Sequence, residues 1–270
     1  MPKFGNPFIY SGPVPPSHFV GREQGVGMIF DLIAKQGGVA VSGEQRIGRT
    51  SLLHYIADPD IAKVWGLTPD RYILLYLDCQ SISDFTSTRF WQRVLDLLSR
   101  QVGANELKGA IEQLCKQKEI HGADLEPILD GIHGQEQTLV LLLDEFEWVI
   151  RTDTDKDMAI TCNFLSELRA LFSHVPRAFS LIVATCERLD TLCRPIKFIA
   201  SPFYTCLASA FLKPFTREEA EELIDRALEG TGVEFSKRDR DFVFEASKGH
   251  PYWLQNACFK LFQKKLELLK

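Results

Sequence analysis

The chain has no pair of cysteines at C-x-x-C spacing, although it has seven cysteines: Cys79, Cys115, Cys162, Cys186, Cys193, Cys206 and Cys258. An odd, scattered set argues against a disulfide framework or a zinc finger and predicts reduced, mostly buried thiols in a cytoplasmic protein. No basic stretch followed by an apolar one opens the chain, so no secretion leader is expected. No apolar run is long enough to span a bilayer, which excludes a membrane-embedded role on this reading. Positive charge is not in excess: the formal net charge is −5, with no basic tract to advertise nucleic acid or an anionic membrane. Internal repeats and low-complexity tracts are also missing.

What is present is an ordinary globular composition, 45% hydrophobic and 25% charged over 270 residues. That is enough for one large or two modest domains with a full core. Residues 1–18 stand apart. They hold five prolines, Pro2, Pro7, Pro13, Pro15 and Pro16, and the rings of Phe4, Phe8 and Tyr10. An extended strap is expected, lying on the body through those rings.

The organising stretch is Val39 to Leu53, VAVSGEQRIGRTSLL. A short apolar run ends at Gly43; a second glycine, Gly48, is followed by a cation, a hydroxyl and a helical pattern. Strand, loop and helix in that order have the spacing of a phosphate-binding loop, G-x-x-x-x-G-K-[ST]. Glycines let the backbone aim N–H groups inward, and the helix start adds unpaired amides and a positive dipole end. Thr50 is placed to offer a hydroxyl to magnesium. Arg49 stands where the pattern has lysine, which keeps the charge but replaces a compact ammonium by a planar fork. The alternative is a βα turn that binds nothing.

Further buried strands are expected at Arg71–Leu77, Thr138–Leu143 and Phe179–Thr185, each followed by helical patterns, at 107–118 and 125–132 among others. Strands alternating with helices predict a parallel sheet covered on both faces. Asp144 and Glu145 sit at the carboxyl end of the second of these strands, where ligands bind in open α/β sheets. Asp144 suits a magnesium water shell, and Glu145 suits an attacking water. Equally, strand-end acids can cap the next helix. Thr185, with Arg188 nearby, is a third candidate for contact with the outermost phosphate; a plain strand-end threonine and a surface arginine is the other reading.

Near Lys213-Pro214 the pattern changes to helices alone. Thr216-Arg217-Glu218-Glu219 is a capping-box pattern, Gly249-His250-Pro251 a break, and Pro251 opens a last helix. Trp253, Leu254 and Phe259 are expected in the core of this helical unit. The domains expected are therefore the strap at 1–18, a nucleotide-binding α/β domain at 19–212 and a helical lid at 213–270. The chain stops on an amphipathic helix without an end signal, so a longer parent protein is expected.

Taken together, N-P-F (6–8), P-V-P-P (13–16), F-V-G-R-E (19–23), G-E-Q-R-I-G-R-T-S-L-L (43–53), L-L-L-D-E-F-E (141–147) and G-H-P-Y-W-L-Q (249–255) resemble the STAND-type, AAA-like P-loop ATPases of bacteria and archaea. The F-V-G-R segment and the G-x-P turn are also similar to origin-recognition-type ATPases. The resemblance implies a doubly wound sheet of the ASCE arrangement, with the Thr185 strand between the two motif strands, and a small all-helical lid. It implies that Phe19, Val20, Gly21 and Arg22 line the base and ribose. Gly43, Glu44, Gln45, Arg46, Ile47, Gly48, Arg49, Thr50 and Ser51 would wrap the phosphates. Asp144 and Glu145 would be the Walker B acids, with Thr50 and Asp144 sharing Mg2+, and Pro251 would touch adenine from the lid. No N-K-x-D guanine signature is present, so ATP or ADP is expected.

Three functions follow as expectations. One is an ATP/ADP-driven regulatory switch that controls an effector protein or domain, often through homo-oligomerisation, with slow hydrolysis because of Arg49. A second is a nucleic-acid-handling, origin-recognition-like ATPase, which the charge balance does not favour. The third is a non-hydrolysing nucleotide-binding scaffold.

Overall fold

The computed structural model describes residues 5–103, 106–175, 178–197 and 202–268. The first four residues of the expected strap and the last two of the expected terminal helix lie outside them. In chain order the elements are α1 (Glu23–Ala34), β1 (Gly38–Ser42), α2 (Arg49–Ala57), α3 (Pro59–Val64), β2 (Tyr72–Asp78), α4 (Ser87–Gln101), α5 (Glu106–Leu114) and α6 (Glu126–Gly134). There follow β3 (Thr138–Asp144), α7 (Asp155–His174), β4 (Phe179–Thr185), α8 (Leu189–Leu192), β5 (Ala208–Phe211), α9 (Arg217–Leu228), α10 (Lys237–Ser247) and α11 (Pro251–Leu268).

The five strands form one parallel sheet in the order β2-β3-β4-β1-β5. β4 lies between the strand that leads into the glycine loop and the strand that ends in Asp144, as the resemblance implied. Leu139, Leu141 and Leu143 of β3 enter one core with α4 to α7, while Val140 and Leu142 enter the other with α1 and α2. All seven residues of β3 and of β4 are buried. This is why both read as unbroken apolar runs: a strand covered on both faces has no solvent side to leave polar. The registers Ser42 to Thr185 and Asp78 to Asp144 bring the carboxyl ends of these strands to one edge.

Several expectations are corrected. β5 was not anticipated; it is a four-residue edge strand with alternate residues half-buried and exposed, too short and without a bulky β-branched run to stand out. Pro59 follows the end of α2 at Ala57 and occupies the first position of α3, where Asp58 caps the amides of Asp60 and Ile61. The helix read over 107–118 ends at Leu114, and that read over 125–132 runs from Glu126 to Gly134.

The last three helices pack on a core of their own, containing Ile224, Val243, Leu254 and Phe262. The capping box forms as read: Thr216 accepts from the Glu219 amide and Glu219 from the Thr216 amide. Trp253, expected in this core, is 56% exposed, whereas its neighbour Leu254 is buried. The strap joins in, since Phe8 stacks on Phe235 and meets Phe262 edge-on. Phe19 and Val20 enter different cores: Phe19 stacks on Tyr55 beside the sheet, and Val20 enters the helical core.

The entry to the helical unit is closed at Gly249, between α10 and α11. Its carbonyl accepts from the Phe215 amide at 2.8 Å, its φ is +73°, and a Cβ there would lie 2.2 Å from the Phe215 carbonyl oxygen. Gly249→Ala is expected to lower stability by about 2 kcal/mol or more, through left-handed strain and a backbone clash that no rotamer relieves. Urea denaturation with an unchanged m-value would measure it.

Candidate nucleotide-binding site

A cleft of about 430 Å³ opens where the carboxyl edge of the sheet meets the last helices. One wall is the loop Gln45–Ser51. A second is the strap from Ile9 to Val14, a third is Phe19, Val20 and Arg22, and Phe215, Leu223, Pro251, Tyr252 and Gln255 complete it from the helical side. Of the residues singled out by sequence, Phe19, Val20, Arg22, Gln45, Arg46, Ile47, Gly48, Arg49, Thr50, Ser51, Glu145 and Pro251 meet in this cleft. Gly21, Gly43, Glu44, Asp144 and Thr185 lie outside its walls.

The loop's shape follows from Gly48. With φ +101° it turns the chain into α2, and no side chain caps that helix. The amides of Arg49, Thr50 and Ser51 therefore start a helix without intrahelical partners, and they do so at the cleft. Such an end is a ready-made anion site. Gly43 has a different task. A Cβ there would lie 2.9 Å from Ile47 Cγ2 and 3.1 Å from the Leu212 carbonyl oxygen, so it lets the loop close against the segment after β5.

Arg22 reaches across to the same loop. Its Nη2 donates to the Ile47 carbonyl at 2.6 Å, its guanidinium lies over the Phe215 ring, and its amide donates to Glu219 Oε1 at 2.6 Å. Burial pulls its pKa down to about 10, partly offset by Glu219. Arg46, at the loop's apex, sits 4.4 Å above the Tyr252 ring of α11. Cation–π contact thus ties the loop to the helical side.

The acids hold the cation of the loop. Arg49 is only 6% exposed; its Nη2 lies 3.3 Å from Glu145 Oε1 and its Nη1 3.5 Å from Glu147 Oε1. Asp144 is 1% exposed and already accepts from the Tyr76 hydroxyl on one oxygen and from the Glu145 amide on the other. Burial, helped by Asp144, pushes the Tyr76 hydroxyl pKa up. Burial also raises the Glu145 carboxyl, with Arg49 acting in the opposite sense. Glu145 has φ +46°, an uncommon conformation for a residue with a side chain. Thr185 donates its hydroxyl to the Glu187 carbonyl, and Arg188 pairs with Asp190 on the surface.

The strap, expected on the body with rings suited to a purine face, supplies Ile9 to Val14 to the cleft, residues not singled out one by one from sequence. Its attachments are Asn6 to the Phe259 carbonyl, the Ile9 amide to Gln255 and the Val14 amide to Ser51 Oγ. Tyr252, Gln255 and Phe215 were also missed; the Tyr-Trp-Leu-Gln run after Pro251 was the available signal. Among the described residues no group of three or more His, Cys, Asp or Glu could hold a metal ion by itself. Magnesium commonly uses one or two carboxylates and the substrate's own phosphates, so Thr50 and Asp144 remain compatible with it. All seven cysteines are free thiols, and no described helix is long and apolar enough to cross a membrane.

No protein-family model and no curated protein sequence matches the chain. Solved structures do. A Walker-type ATPase of Pyrococcus abyssi is similar with a TM-score of 0.65 at 14% identity, over 97% of this chain and 79% of that one. The Aeropyrum pernix ORC2 protein, in ADPNP–ADP complexes, gives 0.60 at 16% identity, over 95% and 64%. Drosophila ORC bound to DNA gives 0.55 at 15% identity, over 93% and 57%. The chain thus has an AAA-like P-loop ATPase fold.

Ser51→Ala removes the acceptor that holds the Val14 amide. It is expected to cost about 1 kcal/mol and to speed proteolytic cleavage within residues 9–15, read by timed digestion and mass spectrometry.

Proposed function

We propose that the chain is an adenine-nucleotide-binding P-loop switch in which ATP or ADP joins the sheet to the helices at 213–270. The observation that carries this is the uncapped start of α2 at Gly48, opening on a cleft roofed by Pro251 and Tyr252. Phosphates would take the amides of the loop, with Arg22 and Arg46 supplying positive charge from either side. The base would lie among the flat apolar groups of the strap, Phe19, Val20 and Pro251. Gly21, Gly43 and Glu44 would support the loop from behind.

Thr50 and Asp144 would hold a magnesium ion, which when bound would offset phosphate charge. Glu145 is within the cleft and is the candidate to orient a water; Thr185 would have to release the Glu187 carbonyl to take part. Because nucleotide would contact both the loop and α11, its identity would bias the angle of the lid. An effector protein or domain, or a second copy of the chain, would read that angle.

A second reading, a nucleotide-binding scaffold that does not hydrolyse, is favoured by the engagement of Arg49 with both Glu145 and Glu147. A role on DNA, as in the ORC complex with DNA noted above, finds little support in a net charge of −5.

The test is a titration of the full chain with a fluorescent adenine nucleotide and magnesium. Saturable binding is expected, weakened about tenfold or more by Gly48→Val, which places a branched side chain where φ is +101°. Absence of saturable binding would sink the nucleotide reading. Phosphate release at background level with binding intact would favour the scaffold over the switch.

A further inference from the structure

Glu147 follows the two strand-end acids, and the nucleotide reading above gives it no part. Yet it is the junction of the site. Its Oε1 accepts from the Cys186 amide at 3.0 Å, just beyond β4, and lies 3.5 Å from Arg49 Nη1. The fork of Arg49 therefore spans two carboxylates, Glu145 and Glu147. Arg49 Nη1 and Glu147 Oε2 are both buried with no hydrogen bond of their own.

A guanidinium held by two carboxylates in a largely dry place is costly to remove, since it leaves uncompensated charge behind. Three acids, Asp144, Glu145 and Glu147, face one cation there. Each oxygen of Asp144 already accepts a hydrogen bond. The amides that begin α2 remain free to take the first two phosphates. A third phosphate would not find the Arg49 guanidinium free, because both carboxylates already engage it.

We propose that Glu147 is the specificity-determining residue of the cleft: by holding Arg49 against the strand ends it denies the guanidinium to a third phosphate, and the site selects a nucleoside diphosphate over the triphosphate. Glu147 acts through Arg49 and is a positioning residue. The proposal rests on the nucleotide reading and adds its ligand class.

The experiment is calorimetric titration of the full chain with ADP and with ATP, each with excess magnesium and with EDTA. Wild type is expected to bind ADP about tenfold or more tightly than ATP, and to bind ADP within about threefold with or without magnesium. Glu147→Gln keeps an acceptor for the Cys186 amide but loosens Arg49, leaving it paired with Glu145 alone, and is expected to raise ATP affinity until the two nucleotides bind within about threefold. Glu147→Asp, which restores the charge, should recover most of the preference. A purely structural role for Glu147 would lower both affinities together. Should Glu147→Gln fail to fold, Arg49→Lys is read in the same way, because one ammonium nitrogen cannot reproduce the fork's separate hold on each carboxylate; ATP affinity should rise again.

Equal affinities in wild type, or a ratio that neither variant moves, overturn the role of Glu147 and leave nucleotide binding standing. Binding of neither nucleotide overturns both.

Discussion

The contact on which the site depends is the pairing of Arg49 with the acids at the end of β3. A guanidinium at 6% exposure would be untenable alone, and so would the two carboxylates beside it. Together they are tolerable only while the loop, the end of β3 and the end of β4 keep their spacing. That spacing comes from the parallel register of three buried strands, with β4 in the middle. The apolar sheet thus fixes the charged cluster, and the cluster in turn fixes the direction in which the first turn of α2 points. Burial raises the Glu145 carboxyl while Arg49 opposes it, the balance expected where desolvation and attraction are of similar size.

Around this centre the helical side is attached at several points of different chemistry. Arg46 lies on the Tyr252 ring, Glu219 accepts from the Arg22 amide, and the Arg22 guanidinium lies over the Phe215 ring. The strap is anchored to α11 by Asn6 and Ile9 and to α2 by Val14. Most of these contacts involve residues that line the cleft. Whatever fills the cleft therefore meets both bodies and the strap between them, which is the physical requirement for a ligand to bias their arrangement.

Much of this was legible in the residues. Gly43, Gly48 and Thr50 announced a loop of known shape, because positive φ and close approach restrict which side chains fit. The runs at 138–143 and 179–185 announced fully buried strands, because neither face meets water. The polar exit of β3 announced which end of the sheet carries chemistry. What escaped notice were features set by distant partners. β5 is four residues long and half exposed, so its pairing with β1 leaves little trace in its own composition. Glu147 was not singled out; only the fold brings it to Arg49 and Cys186. Trp253 read as core by its ring alone, yet α11 turns it outward while Leu254 points in. Tyr252 and Gln255 join the cleft through contacts with Arg46 and Ile9, far earlier in the chain.

Phe19 and Val20 are neighbours in the chain that are inserted into different hydrophobic interiors, one against Tyr55 and one among the C-terminal helices. Packed interiors yield in jumps rather than by gradual bending. Swinging one body against the other must therefore drag a phenyl ring or an isopropyl group out of its seat, or carry both seats along unchanged. If the two interiors moved apart, the dipeptide would work like a ratchet pawl: small excursions would spring back, and only a discrete click to a new seating would persist.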